Sequence, residues 1–239
     1  PAGGMFPMLP LANRVAGNRF IFQGREIVLP RHHADAHFFL HGDGWLQRWD
    51  MIARGGDYCV LQLRRQHACG FDYLAQIRYQ LLRNQLVAAL TLTHCGSTPI
   101  PYGCGFHPFF PFDKRGTVQF AAAGYWPEGE QHLPLGWQGQ LPGYADFSHA
   151  QYGEDRWLNV GYSGWSGRAR VSSDVMDITI LSQTPWLMLF RMQGEPFLCL
   201  EPQSHPVNAH NMDGQPGLRV LGAGDTLSFS LKIDVQGRE

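Results

Sequence analysis

The feature that most constrains the fold of this 239-residue chain is an alternation of apolar and polar residues in many short segments. The clearest segment places Leu227, Phe229, Leu231, Ile233 and Val235 at every second position. A period of two buries one face of a β-strand and leaves the other face in water. No segment shows a sustained period of 3.6 residues bounded by helix caps. The pattern therefore predicts an all-β fold.

Polar turns join several alternating segments into predicted hairpins. The other predicted strand segments are residues 20–22, 27–29, 73–81, 86–92, 175–181 and 196–200. Residues 77–92 would also suit a helix by composition, but two period-two registers around Arg83-Asn84 favour a hairpin. Glycine and proline are scattered along the chain without a linker or a repeat. We expect one antiparallel β-sandwich or barrel domain over residues 1–239.

Charge and composition limit the classes of function. Lys plus Arg is 19 and Asp plus Glu is 20, so the net charge is near zero, which argues against partners such as nucleic acid or an anionic membrane. The longest apolar run, residues 186–190, is too short to span a bilayer. The chain opens without a signal-peptide pattern. Its five cysteines are odd in number and lack CxxC spacing, which predicts reduced core thiols in a cytoplasmic protein.

Two segments carry residues suited to acid–base chemistry. His107 lies among glycines and aromatic residues and is followed by Pro108, while Glu201 ends an apolar segment and is followed by Pro202. Burial would raise the pKa of Glu201, which suits a general base. Taken alone, however, Glu201 is better interpreted as a strand-end side chain that reaches water.

Other familiar functional patterns are absent or incomplete. The sequence has no phosphate-binding glycine loop and no GxSxG nucleophile turn. His32, His33, His37 and His41 crowd one segment, but their spacing matches no standard metal-binding pair. We interpret the first three as surface-loop histidines.

Taken together, these segments resemble the aldose 1-epimerase (galactose mutarotase) family. The Asn-Arg segment, the Leu-His-Gly motif, the Gly-x-His-Pro motif, the segment before Gly-Trp and the Glu-Pro-Gln-Ser-His-Pro signature occur in the family's order. In this chain they are residues 6–15, 39–45, 105–110, 158–165 and 200–209, and the last is followed by residues 217–221. The resemblance spans nearly the whole chain.

The resemblance implies a fold, a reaction and a site. The fold is a large antiparallel β-sandwich with an open sugar-binding cleft. The reaction interconverts the α and β anomers of a free aldose and needs neither a metal nor an organic cofactor. Glu201 would be the base and His107 the acid, each favouring the charged form of the other. Arg14, His41 and Asn159 would bind the sugar hydroxyls.

Two departures from the family pattern stand out. Asn159 occupies a position where the family commonly has a sugar-binding Asp, so a negative charge is missing. The chain also begins almost at the Asn-Arg segment, and we expect it to lack the family's first N-terminal strands. Trp45 or Trp165 would stack on the sugar, although core packing is the commoner role for any one of the seven tryptophans.

Three alternative functions stay open at this stage. A hexose-phosphate 1-epimerase would need a cationic cluster, for which Arg14, Arg19 and Arg25 are candidates. A sugar-binding protein without turnover would explain Asn159, but it has no need of an acid–base pair. A glycoside hydrolase would need a second carboxylate beside Glu201, and none is marked. The predicted partner is a small-molecule sugar, and nothing in the sequence defines the oligomeric state.

Overall fold

The fold of residues 4–238, as described by a computed structural model, consists of strands and short 3-10 turns. The strands are β1 Met5–Met8, β2 Arg19–Phe22, β3 Arg25–Val28, β4 Asp50–Arg54, β5 Tyr58–Gln66, β6 Asp72–Leu82, β7 Gln85–His94, β8 Ile100–Tyr102, β9 Gly105–Pro111, β10 Thr117–Phe120, β11 Gly124–Trp126, β12 Gln151–Tyr152, β13 Leu158–Ser163, β14 Arg168–Ser172, β15 Met176–Leu181, β16 Trp186–Arg191, β17 Phe197–Gln203, β18 Arg219–Leu221 and β19 Thr226–Gly237. The 3-10 turns are Ala16–Asn18, Gly44–Leu46, Glu130–His132 and Ala209–Asn211.

Two large antiparallel sheets form the body of the protein. One has six strands in the order β1-β9-β17-β16-β13-β11, and the other has nine in the order β12-β10-β14-β15-β19-β7-β6-β5-β4. A hydrophobic core fills the space between them, and the rings of Phe106 on β9 and Phe229 on β19 approach to 6.1 Å. Alternate residues of β17, such as Leu198 and Leu200, enter this core. The predicted antiparallel β-sandwich is therefore confirmed.

The long predicted hairpin is also confirmed. Strands β6 and β7 pair from Tyr73 opposite His94 to Leu82 opposite Gln85, and Arg83-Asn84 forms the turn between them. Alternate residues of the two strands share the face that enters the core, whereas in a helix the same residues would point in several directions. The hairpin β2–β3 and the pairing of β19 with β7 follow the predicted alternation as well.

The five cysteines, predicted to be core thiols, do not all lie in the core. All five are free thiols, of which Cys104 and Cys199 are buried and Cys95 is exposed. The prediction that every thiol is a core thiol is therefore wrong for Cys95. Among residues 4–238, no helix is long and apolar enough to cross a membrane.

Candidate active site

The predicted site residues meet on the outer face of the six-stranded sheet. In the register of the sheet, Phe6 lies opposite His107, and Glu201 lies opposite Met188. This face forms the floor of a cleft of about 290 Å³. The cleft is lined by Phe6, Asn13, Arg14, Leu40, His41, Trp45, His107, Phe109, His132, Trp157, Asn159, Phe190, Met192, Phe197 and Glu201. All five predicted site residues line it.

His107 and Glu201 form a buried pair on neighbouring strands. The Nε2 atom of His107 lies 3.1 Å from Oε1 of Glu201, and the two residues are 6% and 2% exposed. Each is followed by a proline, Pro108 or Pro202, which has no N–H group to donate to the ladder. The interpretation of Glu201 as a strand-end side chain in water is therefore wrong, because the strand runs on to Gln203 beneath the cleft.

Two aromatic rings, Phe6 and Phe109, pack against the imidazole of His107. Phe6 stacks on one face at a centroid distance of 4.4 Å, and Phe109 stacks near it at 4.8 Å. Trp45 in turn stacks on Phe6 at 4.9 Å. These apolar faces keep water from the ring, and this burial lowers the pKa of His107 to about 3.

Burial also controls the protonation of Glu201. It raises the pKa of Glu201 to about 8, against the opposing effects of a hydrogen bond from Gln203 and of the positive charge of Arg14. The Gln203 amide donates to Oε2 at 3.2 Å. Burial thus favours the neutral form of both residues, whereas the sequence led us to expect both in their charged forms. At neutral pH the pair is uncharged and shares one exchangeable proton.

A loop beside β1 presents His41 to the cleft in one tautomer. The backbone N–H of Asn13 donates to the ring Nδ1 of His41 at 3.1 Å. The backbone N–H of His41 donates to the backbone carbonyl of Asn13 at 3.0 Å. Burial holds the pKa of His41 well below its usual range, so the ring is neutral. Since Nδ1 accepts a hydrogen bond, the proton lies on Nε2. His41 therefore offers an N–H donor to the cleft, and its ring centroid lies 5.3 Å from that of His107.

The C-terminal signature holds the segment that carries Arg14. His205 Nε2 accepts from the N–H of Ala12 at 3.1 Å, and the Asn208 side chain accepts from Ala16 at 2.8 Å. The N–H of Asn208 donates to the carbonyl of Arg14 at 2.9 Å. Two blocks far apart in sequence thus form one structure. The Arg14 side chain lines the cleft, and its buried Nε has no hydrogen-bond partner in residues 4–238.

Other sequence candidates lie away from the cleft. Arg19 and Arg25 belong to the exposed hairpin β2–β3, where Arg19 faces Glu26 at 3.4 Å, so they do not join Arg14 in a cationic cluster. Trp165 is buried and donates to the carbonyl of Arg168. Trp45 is the tryptophan of the predicted pair that lines the cleft. Within residues 4–238, no group of three or more His, Cys, Asp or Glu side chains is arranged to hold a metal ion.

Asn159 lies on β13 at the opposite side of the cleft from Arg14's segment and contacts a residue that the sequence did not indicate. Its Nδ2 donates to Glu128 Oε1 at 2.6 Å. The same carboxylate binds His132 and Trp157, which line the cleft. Glu128 follows β11 in a loop, and no motif or spacing marks it. The rings of Phe190 and Phe197 were missed as well, because an apolar strand residue gives no sign of which face it occupies.

Comparisons with known proteins give one family over nearly the whole chain. The family model for aldose 1-epimerase matches residues 4–234. The uncharacterised protein YphB of Escherichia coli K12 is 35% identical over 244 residues, covering 97% of this chain and 83% of YphB.

Solved structures show the same fold. A crystal structure from Escherichia coli K12, provisionally described as an aldose 1-epimerase, has a TM-score of 0.94 and 32% identity over 99% of this chain and 84% of its own. Galactose 1-epimerase from Lactobacillus acidophilus has a TM-score of 0.78 and 18% identity over 98% and 80% of the two chains, a likeness of fold. This chain therefore belongs to the aldose 1-epimerase family.

Proposed function

We propose that this protein is an aldose 1-epimerase, which interconverts the α and β anomers of a free aldohexose. The observation that carries the proposal is the buried pair of Glu201 and His107, 3.1 Å apart on the floor of an open cleft. Anomer exchange needs one group that removes a proton and one that supplies a proton, and a positioned pair contributes roughly 10²–10⁴-fold per group. The pair supplies both functions.

Ring opening removes one proton from the sugar and adds one proton to it. The Glu201 carboxylate takes the proton of the C1 hydroxyl, and the oxygen electrons form the C1 carbonyl. The bond between C1 and the ring oxygen breaks, and its electron pair stays on that oxygen, which takes a proton from His107 Nε2. Rotation about C1–C2 exposes the other carbonyl face. Closure runs the same steps backwards, so the pair ends with the number of protons it began with.

The reactive form of the pair is a tautomer of its resting form. Moving the shared proton from Glu201 Oε1 to His107 Nε2 creates a carboxylate base and an imidazolium acid without any proton from solvent. The dry aromatic surroundings favour the neutral tautomer, as the raised pKa of Glu201 shows. We infer that sugar hydroxyls and the Arg14 guanidinium stabilise the charged tautomer when substrate is bound.

Residues around the pair would bind the sugar. Arg14 presents a guanidinium whose Nε–H has no hydrogen-bond partner in residues 4–238, His41 presents an Nε2–H donor, and Asn159 presents an amide to hydroxyl groups. Aromatic walls, among them Trp45 and Phe109, suit the C–H faces of a pyranose.

A phosphorylated substrate receives less support from this geometry. Arg14 is the single Lys or Arg among the side chains that line the cleft in residues 4–238. A bound phosphate usually needs several cationic or backbone donors. The cytoplasmic location and the single-domain organisation stay predictions from the sequence.

Optical rotation tests the proposal. Freshly dissolved α-D-glucose and α-D-galactose are followed with wild-type protein, with Glu201→Gln and with the exposed control Glu195→Gln. We expect wild type and the control to speed equilibration and Glu201→Gln to abolish the acceleration. No acceleration by wild type on either free sugar would contradict the proposal. Acceleration on a sugar 6-phosphate alone would favour the hexose-phosphate epimerase, and saturable binding without acceleration would favour a binding protein.

A further inference from the structure

Glu128 contacts three residues of the cleft wall without lining the cleft itself. Its Oε1 accepts from Asn159 Nδ2 at 2.6 Å and lies 2.5 Å from His132 Nδ1, and its Oε2 accepts from Trp157 Nε1 at 2.7 Å. Asn159, Trp157 and His132 all line the cleft. One carboxylate therefore sets the positions of three side chains on this wall.

The carboxylate also decides which way the Asn159 amide faces. An ionised carboxylate only accepts hydrogen bonds, so the amide atom 2.6 Å away must be the nitrogen. This leaves Oδ1 as the free acceptor, and within residues 4–238 no side chain or backbone N–H donates to it. Trp157 and His132 hold the carboxylate from its other sides, so Glu128 has no freedom to release the amide.

We propose that Glu128 is a positioning residue that makes Asn159 present its carbonyl oxygen to a donor hydroxyl of the sugar. The inference rests on the proposed function and concerns its substrate. An Asp at position 159 would offer an acceptor oxygen unaided, whereas an Asn needs a fixed acceptor behind it to do the same. The site therefore selects sugars that carry a free hydroxyl at this point and disfavours those that are deoxygenated, methylated or phosphorylated there.

Exchanging the two functional groups tests the pairing. Asn159→Asp places two carboxylates at the distance of a hydrogen bond, and both cannot remain ionised there. One of the two therefore takes up a proton and donates it across the contact, and an acceptor oxygen still faces the sugar, so we expect the Kd of Asn159→Asp for the sugar to stay within about threefold of the wild-type value. Glu128→Gln should raise KM several-fold, because the new amide lets Asn159 turn.

The double variant Asn159→Asp with Glu128→Gln should recover most of the affinity that Glu128→Gln loses. It restores one donor and one acceptor across the contact and again leaves an acceptor oxygen for the sugar. Glu130→Gln, an exposed carboxylate two residues along the same loop, is the matched control and should behave as wild type. The inference is overturned if Glu128→Gln keeps the wild-type Kd, or if the double variant binds no better than Glu128→Gln.

Calorimetric binding and a spectroscopic signal separate this inference from the proposed function. The indole N–H resonance of Trp157, assigned with Trp157→Phe, should move in Glu128→Gln and stay in Glu130→Gln, because the indole donates to Glu128. The predicted order of Kd values without any anomer exchange would contradict the proposed function and support the role of Glu128. Anomer exchange by wild type with unchanged Kd values in the variants would support the proposed function and contradict the role of Glu128. Absence of both binding and exchange would contradict both.

Discussion

Two carboxylates serve the same cleft, and their surroundings give them opposite properties. Glu201 is 2% exposed, accepts a hydrogen bond from Gln203, and has its pKa raised to about 8 by burial. Burial would raise the pKa of Glu128 too, but hydrogen bonds from Asn159, His132 and Trp157 outweigh it and hold the pKa below the usual value. The deeper burial of Glu201 and the larger number of donors around Glu128 together decide the difference.

The difference assigns a separate role to each carboxylate. A carboxyl whose pKa lies near the working pH can take and return a proton, which is the task of a general base. A carboxylate that stays ionised is a fixed acceptor and keeps its neighbours in place. Environments that push two pKa values apart are a common way for one site to separate reactive from supporting carboxylates.

The largest expected contrast between the two carboxylates is in activity. Glu201→Gln removes the group that we propose takes the C1 proton, and we expect kcat/KM for anomer exchange to fall about 10²–10⁴-fold. Glu128→Gln should change mainly KM, by several-fold. Polarimetry on both variants measures the contrast. Equal losses in the two variants would show that Glu201 has no special role.

Glu201→Gln and Glu128→Gln should change the free energy of unfolding in opposite directions. The unfolded Glu201 carboxyl titrates near its usual 4.5 and the folded one near 8, so between these values the folded state holds the extra proton and stability falls as pH rises. At pH 8, Glu201→Gln should therefore stabilise the protein, by on the order of 3 kcal/mol. Glu128→Gln should destabilise it by about 1 kcal/mol through weakened hydrogen bonds. Denaturant unfolding at pH 5 and pH 8 checks the signs, and destabilisation by Glu201→Gln at pH 8 would contradict the account.

The pH profile of the wild-type protein sharpens the assignment of the proton-exchanging pair. Above about pH 8 the Glu201–His107 pair loses its exchangeable proton, and no acid remains for the ring oxygen. We expect kcat/KM, corrected for the uncatalysed rate, to be level at neutral pH and to fall above about pH 8 toward tenfold per pH unit. A decline that begins near pH 5 would mean that Glu201 titrates like an exposed carboxyl.

The aromatic enclosure of His107 should account for a smaller effect. Phe6→Leu removes one of the rings stacked on the imidazole and admits water, so the pKa of His107 should rise toward its usual 6.5. Imidazole resonances followed during a pH titration measure the change, with Phe197→Leu as a control on the cleft wall. An unchanged pKa would mean that the stacking rings do not exclude water.

The smallest effect is expected at the exposed hairpin. Arg19→Ala removes a cation that faces Glu26 and does not line the cleft. We expect the rates with free and 6-phosphorylated sugars to stay within about twofold of wild type. A selective loss with the phosphorylated sugar would place a phosphate near the hairpin and favour the hexose-phosphate epimerase.

Much of the fold could be predicted because strand alternation is a local property of the sequence. The predicted segments 73–81 and 86–92 lie inside β6 and β7, and the turn between them is where the pattern placed it. The order of the strands in each sheet was not predictable in this way, since β1, β9 and β17 pair across long separations.

The candidate site was likewise predictable only in part. The family resemblance indicated Glu201 and His107, and both line one cleft. Residue-level reasoning placed Glu201 in water, because nothing local shows that Phe6 and Phe109 close over its partner. Glu128 carries no sequence signal, since its contacts form only when the loop after β11 meets the start of β13.

Carbon-13 NMR titration of the two carboxyl groups tests the central claim most directly. The side-chain resonances of Glu201 and Glu128, assigned with the Gln variants, are followed from pH 3 to pH 9. The account predicts that Glu201 titrates near pH 8 and that Glu128 titrates below its usual 4.5. Two carboxyl groups that both titrate near 4.5, or in the reverse order, would contradict the separation of the proton-exchanging carboxyl from the positioning one.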